Sequence, residues 1–338
     1  MSQSARDERQ DFLRAVAIIA VVAIHSAFGF DSTPGERGAA EWLSTFLRPC
    51  IAVFLFVTGY FFPIDPTPGQ MGRRFQRILV PYFVFTSLAL VYQTRGIGLI
   101  AALAERPLRI LQDVLTGNTW GVYWYIPIIV FTLLGGWVLA RPARRSLIWI
   151  AALFLVTNLI IVGYVDQVIA RTSLADEPMA WFYLLRVLPT WPVYFFFGRV
   201  ARVYGLVDYF RVHRPVVLLI WLFVFLAYNG LYWAGVSGAT GSYRSIIDTL
   251  YSLATIAALN AVAVKSPVLG FIGRTSYATY LAHYFFVSFT QFVISSVWID
   301  PPFWMSTLVF GVALGGSLAF NWATTRFLGE RARRFFGV

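Results

Sequence analysis

A chain of 338 residues in which 58% are hydrophobic and 13% are charged does not fit a soluble protein, because globular domains hold about 45–50% apolar and about 25% charged residues. The mean hydropathy of +0.68 excludes a soluble enzyme and a disordered chain, and the single cysteine, Cys50, excludes a disulfide scaffold. A net charge of +11 would suggest nucleic-acid binding in a soluble protein. Membrane topology explains it better here, and we expect no nucleic-acid partner.

Hydrophobic runs of membrane-spanning length follow one another along the whole chain. There are ten, at residues 12–30, 42–62, 77–94, 122–140, 146–165, 181–200, 215–235, 246–264, 276–297 and 303–323. They predict an all-α polytopic integral membrane protein with about ten transmembrane helices. Because no repeat, linker or shift in composition divides the chain, residues 1–338 are expected to form one integral membrane domain without an appended soluble domain.

The basic residues predict the orientation. An even number of spans puts both termini on one side, and that side receives eighteen of the 27 Lys and Arg residues, whereas the other receives six. Since cytoplasmic loops carry an excess of Lys and Arg, we expect both termini to be cytoplasmic. The segment from Arg95 to Tyr123 holds only a short apolar stretch, interrupted later by Pro107 and Gly117, and is predicted to form a surface or re-entrant helix.

Ionisable residues inside the spans are the first candidates for function, because a charge in hydrocarbon is costly unless it is paired or hydrated. The first span carries Arg14 and, eleven residues later, His25. Eleven helical steps put both on one face, about 16 Å apart along the axis. Imidazole can accept a proton near neutral pH, which suits chemistry at depth. The alternatives are a hydrogen bond between helices for His25 and a snorkelling interfacial cation for Arg14.

Arg73, Arg74 and Arg77 form a basic cluster at the inner end of the third span. Pairs spaced i, i+3 and i, i+4 can present several guanidinium groups from one helical turn to a phosphate. A phosphate-bearing donor from the cytoplasm would fit this cluster. The alternative is that these arginines only follow the positive-inside rule and contact anionic lipid.

Other polar residues near the outer ends of spans could line a pocket with His25 that is open to the outside. They are Arg48, Arg186, Asn229 and Asp248. Each also has a local explanation, such as snorkelling for the arginines or an interfacial position for Asp248. They therefore stand as candidate substrate-binding residues.

The two other histidines differ in setting. His283 lies in the inner half of the ninth run and could line the donor path, although a hydrogen bond to a neighbouring helix explains it equally well. His213 lies in a basic inner loop and is expected to be exposed. Three dispersed histidines without Cys or Glu at ligand spacing predict no metal site.

Taken together, these motifs resemble the membrane-bound acyltransferase-3 family, which O-acylates bacterial surface and exported polysaccharides. The family's opening Arg and His with ten residues between them look like Arg14 and His25. Its Phe-rich run into Ser-Gly-Phe looks like Phe54–Tyr60, with Thr and Tyr replacing Ser and Phe. Its basic third-span motif looks like Arg73–Tyr82, and its Ser-Tyr, Tyr-Leu, His motif looks like Ser276–His283. The fourth span departs from the family, because it lacks the acidic residue that many members carry there.

The resemblance implies an acyl-coenzyme A donor, most commonly acetyl-coenzyme A, as a co-substrate rather than a permanently bound cofactor. The acceptor would be a hydroxyl of a polysaccharide or of a lipid-linked glycan at the bacterial cytoplasmic (inner) membrane. His25 would be the catalytic base. Arg14, the second residue of the family's opening motif and a further catalytic candidate, would hold the coenzyme A from the inside together with Arg73, Arg74 and Arg77, and His283 could also bind the donor. Membrane lipid is a further expected partner. A second copy of the chain and other polysaccharide-assembly proteins are two further partners that the sequence leaves open.

Two other function classes stay open from the residues alone. A secondary transporter or polysaccharide exporter would also have many spans, broken helices at Pro189 and Pro192, and buried charge. A non-catalytic membrane scaffold is the third. If acyl transfer is observed and depends on His25, the protein is an enzyme rather than a transporter or a scaffold.

Overall fold

A computed structural model describes residues 8–27, 34–94, 98–140, 144–170, 190–236, 245–298 and 302–338. Within these ranges the regular structure is helical. The α-helices are α1 Glu8–Ala27, α2 Pro34–Leu47, α3 Pro49–Tyr60, α4 Pro68–Gln93, α5 Gly98–Glu105, α6 Pro107–Thr116, α7 Tyr125–Val138, α8 Arg144–Ala170, α9 Pro192–Tyr204, α10 Leu206–Val212, α11 Arg214–Trp233, α12 Ile246–Val262, α13 Pro267–Arg274, α14 Ser276–Val297, α15 Met305–Leu328 and α16 Glu330–Phe336.

The all-α membrane fold predicted from the sequence is confirmed. Each predicted hydrophobic run contains helix within the described residues, although positions 181–189 of the sixth run lie outside them. Five helical stretches are both long and apolar enough to cross a membrane, namely Glu8–Ala27, Gly38–Tyr60, Pro68–Gln93, Arg214–Trp233 and Met305–Leu328. Shorter apolar helices include Tyr125–Val138, Ser146–Ile160 and Ile246–Val262. The chain is a multi-pass membrane protein, whereas ten crossings and cytoplasmic termini stay predictions.

Two short helices, α5 and α6, occupy the segment predicted to lie at the surface. Both are far shorter than the roughly 20 residues that a crossing needs. On α6 the exposed side chains Leu108, Leu111 and Leu115 recur at helical spacing, which is typical of a helix lying in the membrane interface. Gly117 ends α6 with a φ of 72°, a conformation that favours glycine.

Helix α1 occupies the centre of the bundle. It packs against α2, α3, α12, α13, α14 and α15, and Leu13, Ile18 and Val22 are fully buried along it. Its first half touches α13 so closely that a Cβ at Gly273 would lie 1.9 Å from the Asp11 carbonyl oxygen. The two sequence candidates on α1, Arg14 and His25, are therefore carried by a helix that contacts six others.

Helix α11 lies at the periphery and packs mainly on α12. Its apolar side chains face outward, with Leu219, Phe223 and Trp233 between 67% and 73% exposed. Apolar surface of this extent is the expected lipid-facing side of a membrane helix.

The start of α4 positions the basic cluster. The Thr67 hydroxyl accepts a hydrogen bond from the Gln70 backbone N–H (3.3 Å), and the Gln70 side chain accepts one from the Thr67 N–H (3.1 Å). This capping box, with Pro68 as the first helical residue, gives α4 a well-defined N terminus. Arg73, Arg74 and Arg77 therefore project from its second and third turns.

Candidate functional site

His25 lies in the last turn of α1 and faces α14 across the bundle. Its ring centroid is 5.3 Å from that of His283, with the planes inclined by 36°. The edge of its ring also meets Tyr284, at 5.9 Å between centroids and 89° between planes. His25 is partly exposed, and neither of its ring nitrogens is hydrogen-bonded to a residue that the structure describes. A partly accessible imidazole is thus held between two rings of α14.

His283, in contrast to His25, is fully buried. Its Nδ1 lies 2.7 Å from the Tyr280 carbonyl oxygen, which can only accept, so Nδ1 carries the proton. Its Nε2 is buried without a hydrogen-bond partner in the described part of the chain. The two histidines that the sequence assigned to different tasks therefore lie side by side.

The part of α14 that carries His283 is fixed by hydrogen bonds from neighbouring segments. The Tyr123 hydroxyl donates to the Leu281 carbonyl oxygen at 2.8 Å, and the Tyr280 hydroxyl donates to the carbonyl oxygen of Val122. From α15, the Asn321 amide donates to the Thr279 hydroxyl at 2.8 Å. Buried and satisfied bonds of this kind rigidify a polar site, so the His283 ring has a defined position.

Arg14 lies at the other end of α1. Its guanidinium forms an ion pair with Asp11 at 3.0 Å and lies 5.1 Å from the centroid of the Phe61 ring. Asp11 is almost completely buried, at 1% exposure, so the pair is partly withdrawn from solvent. Since both residues belong to one uninterrupted helix, Arg14 and His25 are about 16 Å apart along its axis.

The basic cluster of α4 divides between two faces of the helix. Arg73 and Arg77 line a cavity of about 970 Å³ where α14 begins. Arg274 of α13 and Arg334 of α16 line the same cavity, with Glu330 as the acidic residue among the lining side chains. This cavity, the basic cavity, therefore brings four arginines from three helices together.

Arg74 points away from this cavity, about 100° around the helix from Arg73. Its Nη2 donates to the Phe61 carbonyl oxygen at 2.7 Å, at the C-terminal end of α3. Arg202 of α9 donates to the Tyr60 carbonyl oxygen there at 3.2 Å. Cations at a helix C terminus satisfy its free carbonyl groups and favour its dipole, so Arg74 binds the end of α3 rather than the basic cavity.

Comparison with known protein families identifies the family of this chain and its functional class. The family model described as an acyltransferase domain matches residues 8–326, which is almost the whole chain. The chain belongs to the acyltransferase-3 family. It is therefore a membrane acyltransferase that transfers acyl groups other than aminoacyl groups. A search of the curated proteins finds no match, and neither does a search of the solved structures.

Three of the candidates that the sequence predicts near the outer ends of spans have defined surroundings in this acyltransferase. Asp248 is buried, and its two carboxylate oxygens accept hydrogen bonds from the Tyr228 hydroxyl (2.7 Å) and the Ser245 hydroxyl (2.9 Å). Asn229 accepts one from the Trp42 indole at 2.9 Å. Arg48 lies directly before Pro49, where α3 begins. These bonds tie α11 to α12 and to α2, and the role of these residues in binding a substrate stays a prediction.

Arg186, the fourth outer candidate, lies outside the described residues. His213 is exposed in the turn after α10, with Nδ1 3.0 Å from the Tyr209 carbonyl oxygen. Among the residues that the structure describes, no three His, Cys, Asp or Glu side chains meet as metal ligands.

Replacing Asp248 by alanine is expected to lower stability, because the Tyr228 and Ser245 hydroxyls would lose their buried acceptor. Unsatisfied buried donors cost about 1–3 kcal/mol each. The measurement is the melting temperature in detergent, with Tyr228→Phe as the variant that removes one of the same bonds without changing charge. An unchanged melting temperature together with a raised KM for the acceptor would instead make Asp248 a substrate-binding residue.

Sequence reasoning missed Arg274 and Arg334 as members of the basic cluster. Both lie about 200 residues or more from Arg73 in the sequence, and nothing local links them. The sequence did contain a signal that Arg73 and Arg74 face different neighbours, because adjacent residues of a helix point about 100° apart.

Proposed function

We propose that this membrane acyltransferase moves an acyl group, acetyl foremost, from cytoplasmic acyl-coenzyme A to a hydroxyl of a surface or exported polysaccharide or of its lipid-linked precursor. The observation that carries the proposal is the partly exposed His25 in the last turn of the central helix α1, packed against the buried His283. An imidazole in this setting is suited to general-base catalysis.

In the proposed reaction His25 takes the proton from the acceptor hydroxyl as its oxygen attacks the thioester carbonyl carbon. The new carbon–oxygen bond forms, the carbon–sulfur bond breaks, and the proton passes from His25 to the departing sulfur. The products are the O-acylated glycan and free coenzyme A, and His25 returns to its neutral form. Holding base, hydroxyl and thioester together removes much of the entropic barrier.

The basic cavity is the proposed site for the phosphates of the donor. Its four arginines, Arg73, Arg77, Arg274 and Arg334, supply the forked cationic donors that phosphate groups favour. Tyr277 lines the cavity on the side of α14, six residues or about 9 Å of helix before His283. The pantetheine arm would extend from the cavity along α14 toward His25.

The end of the cavity lies between α4 and α14. There the Tyr277 hydroxyl donates to the Ile78 carbonyl oxygen at 2.7 Å, and neither histidine is among the residues that line the cavity. Pro81 lacks the backbone N–H that would continue the helical ladder of α4 nearby. A donor that reaches His25 would have to pass this bond.

The test uses the full chain in liposomes, with radiolabelled acetyl-coenzyme A and glycolipid extracted from bacterial membranes. We expect label to appear in carbohydrate as an alkali-labile ester, in amounts matched by released thiol. Succinyl-coenzyme A in place of acetyl-coenzyme A measures the acyl preference. Movement of glycan across the bilayer with no ester formed would overturn the proposal and favour a transporter or exporter.

Replacing Arg73 and Arg77 together by glutamine is expected to raise KM for acetyl-coenzyme A about 10²–10⁴-fold, the effect of losing two hydrogen bonds to charged groups, and to leave kcat near that of the natural chain. Each hydrogen bond to a charged group contributes about 1.5–3 kcal/mol of binding free energy. Because the phosphates of the donor are bound equally before and during the reaction, losing these bonds raises KM and leaves kcat unchanged. The measurement is initial rate against acetyl-coenzyme A concentration.

The matched control is Arg331→Gln, because Arg331 is exposed on α16 and does not line the basic cavity. It is expected to leave KM unchanged. Equal KM values for the double variant and the control would mean that Arg73 and Arg77 serve topology or anionic lipid instead.

A further inference from the structure

We infer that His283 is the positioning residue for His25, accepting an N–H from the His25 ring and thereby selecting the tautomer that acts as base. The inference rests on the proposed function of His25. The sequence analysis considered His283 as a residue that lines the donor path. The inference gives it a different role, which is to orient the catalytic His25.

The hydrogen-bonding capacity of His283 supports this role. Its Nδ1–H is already committed to the Tyr280 carbonyl oxygen, so a neutral ring leaves Nε2 as an acceptor only. That nitrogen is fully buried and has no partner among the described residues. A buried acceptor of this kind costs free energy unless a donor reaches it, and the neighbouring ring that can supply an N–H is His25.

The separation of the two rings suits such a bond. An N–H···N bond of about 2.9 Å between two imidazoles puts their centroids roughly 5 Å apart, and the observed separation is 5.3 Å. In the inferred bond, the His25 ring turns about its side-chain bond so that one nitrogen faces Nε2 of His283. Catalytic hydrogen bonds are often loose in a substrate-free enzyme and tighten in the complex.

The consequence for catalysis follows from the tautomer. When one His25 nitrogen donates to His283, the other must carry the lone pair and point away from α14, toward the exposed side of the ring. After His25 takes the proton of the hydroxyl, its imidazolium still donates to Nε2, so the new charge is stabilised. The proton stays on His25 until it passes to the departing sulfur, and His283 acts throughout as a neutral acceptor whose Nδ1–H is bonded to the Tyr280 carbonyl oxygen. A base oriented by a buried third group is a recurring catalytic arrangement.

The decisive variants are His283→Leu, which removes the acceptor, and His283→Gln, whose side-chain oxygen can occupy the position of Nε2. We expect leucine to lower kcat about tenfold to a hundredfold, as the loss of one hydrogen bond to a charged group predicts, while KM for acetyl-coenzyme A stays constant. Glutamine is expected to restore most of kcat. A role confined to packing would predict no such rescue, since leucine fills the space better than glutamine.

The control on the same helix is Thr290→Val, because the Thr290 hydroxyl is another buried polar group without a hydrogen-bond partner among the described residues, and it lies seven residues, or about 10 Å of helix, beyond His283. It is expected to keep kcat unchanged. In a double-mutant cycle, His283→Leu should cause no further loss once His25 is alanine, since it acts only through His25. Full kcat in both His283 variants would overturn the inference.

A second measurement does not depend on turnover. The chain has three histidines, so ¹⁵N-labelled histidine in the natural chain and in His213→Ala gives assignable ring signals in liposomes. We expect His283 to be the Nδ1–H tautomer and to show an N–H···N coupling to His25. Absence of that coupling would overturn the inference. If acetyl-coenzyme A is not used at all, the proposed function fails, while this coupling still tests the pair of histidines.

Discussion

Replacing His25 by alanine is expected to reduce acyl transfer by about 10²–10⁴-fold, the contribution usual for a general base. A sugar hydroxyl is a poor nucleophile until its proton is removed, and His25 is a partly exposed imidazole that can accept that proton. The rate of ester formation from radiolabelled acetyl-coenzyme A in liposomes measures the effect. The amount of inserted, monodisperse protein should stay equal to that of the natural chain.

The matched control is His213→Ala. His213 is exposed in the turn between α10 and α11 and bonds only to Tyr209 of its own turn among the contacts described. It is expected to transfer acyl groups at the natural rate. If His25→Ala retained transfer within about twofold of this control, the general-base assignment would be wrong.

Replacing Gly59 by alanine is expected to prevent correct assembly of the bundle. Helices α3 and α9 cross at Gly59 and Gly198, where a Cβ on Gly59 would lie 1.9 Å from the Phe195 carbonyl oxygen and one on Gly198 would lie 2.0 Å from that of Phe56. Because the obstructing atoms are backbone on both sides, no side-chain rotation relieves the clash. The helices would have to separate, at a cost above the roughly 1–3 kcal/mol usual for overpacking.

The control for this prediction is Gly135→Ala, since Gly135 also lies in an apolar helix and an added Cβ there meets nothing within 4 Å. We expect it to behave like the natural chain, whereas Gly59→Ala and Gly198→Ala should give little monodisperse protein in detergent and a lower melting temperature. Normal yield and melting temperature for both crossing variants would show that α3 and α9 are not packed this closely.

The crossing also bears on the site. The end of α3 carries Phe61, whose ring contacts Arg14 and whose carbonyl oxygen accepts from Arg74. Helix α9 supplies Arg202 to the same helix end. The close approach of α3 and α9 at Gly59 and Gly198 therefore sets where Arg14, Arg74 and Arg202 lie, in the way that small residues let membrane helices approach.

Several features of this acyltransferase could be predicted without coordinates. Apolar length identified the helices, because a chain in lipid must satisfy its backbone internally. Helical periodicity placed Arg14 and His25 on one helix at a fixed separation, and the ordered motifs pointed to the family that the comparison then established. These inferences concern one helix at a time, or the order of motifs along the chain.

The relations between helices were decided only by the tertiary structure. The pairing of His25 with His283, the basic cavity completed by Arg274 and Arg334, and the turn of Arg74 toward α3 each depend on which helix faces which. In a membrane protein nearly every helix is apolar all round, so hydropathy does not mark the face that meets a neighbour. That choice is made by shape, through close contacts such as Gly59 with Phe195, and by a few polar side chains that must find partners.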